Sequence, residues 1–488
     1  MVLYLTLGAA AALGQAPWGL WPLTIIALAM AFALFRQSEK ILNAGLLGWA
    51  VGLGYFMVAL SWIVEPFMVD IARHGWMAPF ALVGLSLFMA SYWAIGFAAA
   101  RALGGGAVAL IASFTLGEAL RGYLFTGFPW AQIGHVWIDT PILQWAAYVG
   151  PLGLIALTWC AAAALWHLLA GQRIAGAVVL VVVAVLYPLG ASVTPTVQET
   201  KTAPTVRLIQ PNAPQHEKWD PAMMPVFFNR QIDFTAAGDA RPDLIVWPET
   251  AIPVLLNNAE GVLAAISDAA GDVPVVLGAQ RVDGMRLYNS LAVLTGAGHV
   301  ATVYDKHHLV PFGEFVPFGE LLKRFGIAGL AAKDGNGFSS GPGKQVLDLG
   351  PLGRALPLIC YEGVFARNVR AKAERPDFLL MITNDAWFGQ VSGPYQHLAQ
   401  ARLRAVEQGL PMIRVANTGI SAMIDPAGRI TAQLSLGETG WIDVALPAPR
   451  PQTVYATYGD LPVAVILAVI LAATLALGRR RKGLAPKS

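Results

Sequence analysis

Hydrophobic and polar positions divide the chain into three stretches with different patterns. Residues 1–190 are almost continuously apolar, and residues 461–478 are apolar again. Residues 200–450 instead carry charges, turn residues and short alternating apolar runs. Because about 20 apolar residues cross a bilayer as a helix, the two apolar stretches predict membrane helices. The polar stretch predicts a water-exposed domain inserted between them.

About eight membrane spans fit this pattern. The predicted spans are 1–14, 18–35, 41–64, 79–100, 107–121, 142–169, 174–190 and 461–478. A signal peptide does not explain the first span, because a basic leading region is missing and further apolar segments follow directly. The domain organisation that we expect is membrane helices over 1–190, a soluble domain over 200–450, a last helix over 461–478 and a basic tail over 479–488.

Basic residues in the short loops predict the orientation in the membrane. With the N-terminus in the cytoplasm, the basic segments 36–40, 171–173 and 479–482 and Arg101 all lie on the inner side. An even number of spans returns the C-terminus to that side. The domain at 200–450 then lies outside the membrane, which is the periplasm in a cell with two membranes.

Glu118 and Arg121 are charged residues at the end of the fifth predicted span. A charge inside a bilayer costs roughly 2.5–3.5 kcal/mol on insertion scales. Their i, i+3 spacing allows a neutralising ion pair near the interface. Contact with a lipid headgroup is the alternative.

Strand patterns and helix patterns follow one another in the polar stretch. The predicted strands are 205–212, 243–250, 273–280, 287–295, 354–362, 377–385 and 419–426. Amphipathic helices are predicted over 221–238 and 393–409. This succession predicts a layered α/β domain, and some 250 residues suffice for one hydrophobic core.

Composition supports the membrane prediction and narrows the function. The chain is 56% hydrophobic and 13% charged, whereas a soluble protein usually has about a quarter of charged residues. The net charge of +3 is too small to indicate nucleic-acid binding. Cys160 lies in an apolar span and Cys360 in the polar domain, so they do not form a structural pair. An unpaired thiol outside the cytoplasm is unusual unless the protein uses it.

Three residues near predicted strand ends suggest nucleophilic chemistry. Glu249 ends one strand, Cys360 ends another, and Lys306 follows an apolar run. A free thiol has a pKa near 8.5 and needs a general base, which a carboxylate can supply. An ammonium can stabilise the thiolate and an oxyanion, as can the backbone N–H of Tyr361. Together the three could form an acyl-thioester.

Each of these residues alone has an ordinary structural explanation. Cys360 could be a small core residue, Glu249 an exposed strand end and Lys306 a surface charge. His307 and His308 could suggest a metal site or a cysteine–histidine pair. Because no further ligand has the required spacing, we predict no metal and no cofactor.

Four segments resemble the nitrilase superfamily. They are DLIVWPET (243–250), YDKHHLVPFGEFVPF (304–318), LICYE (358–362) and NDAWFG (384–389). That superfamily has a Glu–Lys–Cys triad on an α-β-β-α sandwich. Nearly the whole chain, including GEALRGYLFTGFPWAQIG (117–134), is similar to the bacterial apolipoprotein N-acyltransferases. The resemblance implies a polytopic α-helical membrane domain joined to a nitrilase-like α/β sandwich.

The resemblance also implies roles for individual residues. Glu249 would be the general base, Lys306 the oxyanion-stabilising lysine and Cys360 the acylated nucleophile. The supporting residues would be Glu314, Tyr361 and Glu362, and the substrate-binding residues Trp219 and Trp387.

The implied reaction moves an acyl chain between two lipidated molecules. Phosphatidylethanolamine would be the acyl donor, and the acceptor would be the N-terminal amine of the S-diacylglyceryl cysteine of an apolipoprotein. The protein would be a multi-pass monomer of the bacterial inner membrane that binds no nucleic acid. Removing a long acyl chain from a bilayer costs on the order of 10 kcal/mol, which favours a catalytic domain held at the membrane.

Three alternatives remain open from the sequence. A membrane-anchored amidase that hydrolyses a small amide would use the same triad with water as the acceptor. A transporter or receptor would only bind ligand through its outer domain. The apolar segment 315–332 could be a lid that dips into the membrane or an ordinary packed helix. The glycine-rich segment 334–344 lacks phosphate-loop spacing and is interpreted as a loop.

Overall fold

The computed structural model describes residues 1–194, 203–317, 337–370 and 374–483. The predicted lid, 315–332, falls almost entirely outside these residues. The chain forms two compact units, each built from separate segments. The helical unit comprises Met1–Pro195, Val391–Ala399 and Gln452–Ser488, and the α/β unit comprises Thr196–Gln390 and Gln400–Pro451.

Fourteen α-helices are present in the described residues. They are α1 (Val2–Ala12), α2 (Trp21–Gln37), α3 (Ile41–Ala59), α4 (Glu65–Met68), α5 (Ile71–His74), α6 (Ala78–Ala102), α7 (Ala107–Tyr123), α8 (Ala146–Leu169), α9 (Arg173–Val193), α10 (Met224–Ala236), α11 (Glu260–Ala270), α12 (Gly393–Gln408), α13 (Val454–Tyr458) and α14 (Leu461–Gly483).

A helix lies at each of the eight predicted spans, but only part of the spanning prediction is supported. Within the described residues, four helical stretches are long and apolar enough to cross a membrane: Ile41–Ala59, Ile71–Ala102, Ala107–Thr126 and Pro141–Leu169. Shorter apolar helices occur at Val2–Ala12, Trp21–Gln37, Val183–Ser192 and Leu461–Ala476. These shorter helices do not by themselves establish eight spans.

Small residues allow the apolar helices to approach one another closely. A Cβ added at Gly8 of α1 would lie 1.9 Å from the Val51 carbonyl oxygen of α3. One added at Gly54 would lie 2.0 Å from the Leu5 carbonyl oxygen in the opposite direction. Backbone-to-backbone packing of this kind is how membrane helices associate without a hydrophobic driving force.

The Glu118–Arg121 pair is formed inside the helical unit. Arg121 donates from Nε and Nη2 to the two Glu118 carboxylate oxygens, at 2.8 and 2.6 Å. Arg121 also donates to the carbonyl oxygens of Phe128 and Trp130, and Trp93 donates to Glu118. Both charged side chains are at most 1% exposed, so the ion pair is favoured over a headgroup contact. The pair anchors the loop after α7.

Two six-stranded sheets form the α/β unit. The strands are β1 (Thr205–Gln210), β2 (Leu244–Val246), β3 (Val275–Asp283), β4 (Arg286–Thr295), β5 (His299–Asp305), β6 (Leu347–Asp348), β7 (Arg354–Ile359), β8 (Phe378–Thr383), β9 (Met412–Ala416), β10 (Ser421–Ile424), β11 (Ile430–Leu434) and β12 (Gly440–Ala445). The strand orders are β12-β1-β2-β3-β4-β5 and β11-β10-β9-β8-β7-β6. In each sheet, three neighbouring strands are parallel and the remaining pairs are antiparallel.

The parallel strands bring functional residues to the sheet ends. Helices α10 and α11 cover the first sheet through a buried cluster that includes Trp247, Leu263 and Ile266. Strands β1 and β4 contact β9 and β7 of the second sheet. Because the carboxyl ends of β2 and β7 carry the Glu249 and Cys360 segments, this packing lets residues far apart in sequence converge.

Candidate active site

Cys360 is the first residue after β7. Its φ of +51° is left-handed, which is uncommon for a residue with a side chain and strains the turn. The side chain is 5% exposed. Burial raises the pKa of the thiol, the Glu249 carboxylate raises it further, and Lys306 only partly opposes them. The thiol is therefore protonated at neutral pH and needs a base to react. The predicted strand 354–362 was too long, since β7 ends at Ile359.

Lys306 follows β5 and is buried between two carboxylates. Its Nζ lies 2.9 Å from Glu314 Oε1 and 3.7 Å from Glu249 Oε1. Its backbone N–H donates to the Asn289 carbonyl oxygen at 2.8 Å. Burial alone would lower the pKa of Lys306, but Glu314, Glu249 and the nearby Cys360 outweigh it and the pKa is raised. Lys306 is thus an ammonium at every relevant pH.

Glu249 lies three positions beyond β2 and faces the same ammonium. Asn289 of β4 donates from Nδ2 to Glu249 Oε1 at 2.7 Å and to Glu314 Oε1 at 3.1 Å. Glu314 is held in turn by the Val310 N–H at 2.8 Å. Burial raises the pKa of Glu249 above its ordinary value, although Lys306 and Asn289 oppose the rise. A carboxylate with a raised pKa is suited to accept a proton near neutral pH.

Glu362 ties the Cys360 turn to the end of β5. Its carboxylate accepts hydrogen bonds from the N–H groups of Ile359 and His307, at 2.9 and 2.8 Å. The Tyr304 hydroxyl donates to both carboxylate oxygens at 2.9 Å. Burial would raise the pKa of the Glu362 carboxyl. The hydrogen bond from the His307 side chain and the charge of that side chain nevertheless hold the pKa of Glu362 below its usual value. Glu362 therefore fixes the relative positions of the segments that carry Cys360 and Lys306.

The two histidines have partners other than a metal ion. His307 Nδ1 lies 2.6 Å from Glu362 Oε1. His308 stacks on Phe365 with ring centroids 3.9 Å apart, and burial lowers its pKa to about 4. Among the described residues, no group of three His, Cys, Asp or Glu is close enough to hold a metal ion.

Tyr361, Trp219 and Trp387 are the remaining predicted site residues. Tyr361, the residue after Cys360, is buried and packs edge-on against Phe365, with ring centroids 4.9 Å apart. Trp219 is 38% exposed and lines a cleft with Lys218, Phe227 and Thr250. Trp387 is half-buried in the turn after β8. In the part of the chain that the structure describes, no hydrogen bond or ring contact joins either tryptophan to the triad.

Sequence reasoning missed Asn289, Lys218 and Tyr304. Asn289 is a polar residue within the apolar run LYNSLAVLT, which is a weak signal for a buried functional group. Lys218 directly precedes Trp219 and gives no signal by spacing. Tyr304 is typical of strands in any case. Only their contacts in the folded chain reveal them.

The arrangement can carry out acyl transfer through a thioester. The Lys306 ammonium lies 3.7 Å from the Glu249 carboxylate, and the charges of both groups act on the buried Cys360 thiol. A family model described as carbon–nitrogen hydrolase matches residues 203–455, which contain all three. A second, described as the apolipoprotein N-acyltransferase N-terminal domain, matches residues 7–164. A carbon–nitrogen hydrolase match alone would also suit an amidase.

Full-length relatives decide between an acyltransferase and an amidase. A protein named apolipoprotein N-acyltransferase from Rhodopseudomonas palustris is 37% identical, over 98% of this chain and 95% of its own length. The chain belongs to the apolipoprotein N-acyltransferase family. A relative of the same name from Sinorhizobium fredii is 38% identical, over 91% of this chain and 89% of its own. One from Bradyrhizobium diazoefficiens is 37% identical over 98% and 94%.

Solved structures add little to this assignment. A CN-hydrolase superfamily protein from Xanthomonas campestris is 19% identical, with a TM-score of 0.37 over 56% of this chain and 97% of its own. An amidase from Nesterenkonia sp. is also 19% identical, with a TM-score of 0.37 over 52% and 94%.

Family membership confirms several expectations. The prediction of a nitrilase-like α/β domain is confirmed by the carbon–nitrogen hydrolase match. An acyltransferase is supported over both the amidase and the transporter or receptor, because the match to the named relatives includes the membrane helices. The named relatives and the four long apolar helices together indicate a membrane protein.

Proposed function

We propose that Glu249, Lys306 and Cys360 are the catalytic triad of an N-acyltransferase that transfers an acyl chain from phosphatidylethanolamine to an apolipoprotein. The observation that carries this proposal is the buried Lys306 ammonium, 3.7 Å from Glu249 and electrostatically coupled to the Cys360 thiol. A permanent cation beside a neutral thiol and a basic carboxylate matches the needs of ester attack better than those of a structural core.

In the first half-reaction, Glu249 accepts the thiol proton while the sulfur attacks the ester carbonyl of the phospholipid. Lys306 stabilises the oxyanion, and the backbone N–H of Tyr361 is the second donor. When the carbon–oxygen bond breaks, Glu249 returns the proton to the departing lysophospholipid oxygen. The product is a thioester on Cys360.

In the second half-reaction, the α-amine of an S-diacylglyceryl cysteine attacks the thioester. Lys306 stabilises the second oxyanion, and Glu249 accepts a proton from the attacking amine. The carbon–sulfur bond breaks and the sulfur regains a proton. The amide product is the triacylated lipoprotein, and the free enzyme is restored without any cofactor.

Supporting roles are proposed for five further residues. Glu314 and Glu362 position Lys306 and the Cys360 turn, and Tyr361 shapes the wall beside the sulfur. Trp219 and Trp387 contact substrate in the cleft. Eight spans, with the α/β unit on the periplasmic side of the inner membrane, would give a monomer direct access to phospholipid.

Mass spectrometry of the whole protein tests the proposal. Incubation with phosphatidylethanolamine carrying a heavy-isotope acyl chain should add that acyl mass to Cys360. A lipopeptide with a free diacylglyceryl-cysteine amine should then remove it and gain the same mass. Cys360→Ala should show neither event, whereas Cys160→Ala should show both. Release of labelled fatty acid without transfer to the lipopeptide would contradict the proposal.

A further inference from the structure

Lys218 is a second buried lysine beside the triad. It is 8% exposed and lies next to Trp219, whose ring centroid is 5.7 Å from its Nζ. The Nζ donates to the Glu249 carbonyl oxygen at 3.2 Å and to the Thr250 hydroxyl oxygen at 2.9 Å. Both contacts therefore fall on the short segment that presents the Glu249 carboxylate.

That segment has an unusual backbone. Thr250 has a φ of +47°, a left-handed conformation that a β-branched residue rarely adopts. Strained conformations of this kind persist only where the surroundings hold them from several sides. The contacts around Thr250 identify the groups that hold this conformation.

Strand β3 holds one side of the segment. The Ala251 N–H donates to the Gly278 carbonyl oxygen at 2.7 Å, and the Gly278 N–H donates to the Pro248 carbonyl oxygen at 3.0 Å. A Cβ added at Gly278 would lie 2.6 Å from the Glu249 Cα, so the two backbones are in direct contact. Lys218 makes the additional contacts to this segment, from the loop that carries Trp219.

The charge of Lys218 needs an explanation beyond packing. Within the described residues, Lys218 forms no ion pair at 4.0 Å or less. A buried cation without such a partner is costly, and a methionine of similar length would fill the space at lower cost. Burial lowers the pKa of Lys218 to about 8, and the Glu249 charge opposes that change. The same attraction favours the ionised form of Glu249.

We propose that Lys218 is a positioning residue, which fixes the Glu249–Thr250 turn and directs the Glu249 carboxylate at Lys306 and Cys360. The proposal rests on the proposed role of Glu249 as the general base. It also couples the base to the loop of Trp219, because Lys218 and Trp219 are adjacent in the chain. Lys218 itself contacts no reacting atom in this scheme.

The test is a pH series of single-turnover acylation in the full-length protein. Cys360 acylation by labelled phosphatidylethanolamine is followed by mass spectrometry between about pH 5.5 and 9, a range that brackets a base of raised pKa. Lys218→Met should slow acylation about 10- to 100-fold at pH 7, the size expected for lost charge-assisted contacts. The acidic limb of its pH–rate profile, where protonation of Glu249 slows acylation, should move to higher pH. The reason is that Glu249 loses a neighbour that favours the ionised carboxylate.

Matched variants separate positioning from folding. Lys218→Arg keeps the charge and should restore the limb in part. Lys344→Met should match the wild type, because Lys344 is an exposed lysine whose Nζ donates to the Arg367 and Arg370 carbonyl oxygens. Thermal unfolding and the amount of folded protein are measured for each variant, so that a loss of folded protein is separated from a loss of acylation rate. If Lys218→Met does not fold, Thr250→Val removes one contact and should shift the limb by less in the same direction.

An unmoved acidic limb in Lys218→Met overturns the proposal, whether the rate is unchanged or falls only with the amount of folded protein. An unmoved acidic limb in Thr250→Val would also overturn the proposal. Failure of the proposed function is distinguishable, because the wild-type protein would then acquire no acyl group on Cys360 at any pH.

Discussion

At the scale of single residues, two carboxylates face the Lys306 ammonium. Glu249 and Glu314 both face Lys306, and Asn289 donates to both carboxylates. Because the pKa of Lys306 is raised, this lysine stabilises anions and does not accept protons. In the proposed mechanism the proton acceptor is therefore a carboxylate, and Glu249 suits that role because burial raises its pKa and its charge acts on Cys360.

Asn289→Ala tests how the Glu249 charge is held. Asn289 donates to the ionised carboxylate and so lowers the pKa of Glu249. Without that donor the pKa rises, and a larger fraction of the base is protonated at a given acidic pH. We expect the acidic limb of the acylation rate to move to higher pH and the rate at pH 7 to fall about 10- to 100-fold.

The matched control is Asn257→Ala. Asn257 donates to the Val282 carbonyl oxygen on an exposed turn away from the triad, so its pH profile should equal that of the wild type. An Asn289→Ala profile that keeps the wild-type limb would show that Asn289 does not set the ionisation of Glu249.

At the scale of elements, the site depends on how strands end and on what packs against those ends. Strand β2 ends at Val246, and the segment beyond it lies against Gly278 of β3. Strand β7 ends at Ile359, where the positive φ of Cys360 turns the chain. The Glu249 segment therefore needs a neighbouring strand that leaves room for its backbone, and the Cys360 segment needs a left-handed turn.

Gly278→Ala should displace Glu249, the proposed general base. Its Cβ would lie 2.4 Å from the Thr250 nitrogen and 2.6 Å from the Glu249 Cα, which are backbone atoms that cannot simply rotate away. We expect acylation of Cys360 to fall about 100-fold, since a displacement of about 1 Å can cost that much. Single-turnover acylation at the pH optimum is the measurement.

Gly261→Ala is the matched control, because nothing lies within 4 Å of a Cβ added there in α11. It should keep full activity, and its thermal unfolding temperature should not fall, since alanine favours a helix over glycine. Full activity in Gly278→Ala would mean that the segment tolerates a shift that the contact distances forbid.

At the scale of the whole molecule, the α/β unit is an insertion in the helical chain. Strand β1 pairs antiparallel with β12, with Thr205 opposite Ala445. The Leu446 N–H donates to the Pro204 carbonyl oxygen at 2.8 Å. The first and last strands of the unit therefore pair with each other at one side of one sheet.

The predicted orientation has a direct test in intact cells. The protein has two cysteines, so Cys160→Ala with Cys360→Ala removes every native thiol. A cysteine introduced at Asp239, exposed in the α/β unit, should react with a membrane-impermeant maleimide once the outer membrane is opened. One introduced at Gln172, between α8 and α9, should react only after the inner membrane is broken. The reverse labelling pattern would contradict the periplasmic placement.

The local sequence pattern predicted those helices and strands whose formation depends on the composition of each segment alone. Apolar runs located the helices at all eight predicted spans, because transfer out of water depends on each segment's own composition. Strands such as β1, β3, β4 and β8 followed from apolar, β-branched runs, whereas β5, β9, β11, β12 and α11 lacked a clear signal. The sequence also indicated a carboxylate at Glu249, an ammonium at Lys306 and a thiol at Cys360 as candidate functional groups.

Only the tertiary structure decided how these residues meet. Glu249, Lys306 and Cys360 follow β2, β5 and β7, and their distances depend on sheet register and on which strands are neighbours. The same holds for the contacts of Lys218 with Glu249, of Asn289 with Glu249 and of Glu362 with the His307 N–H, which join residues 31, 40 and 55 positions apart along the chain. Hydrogen bonds and ion pairs of this kind act between groups that folding brings together, so no local pattern records them.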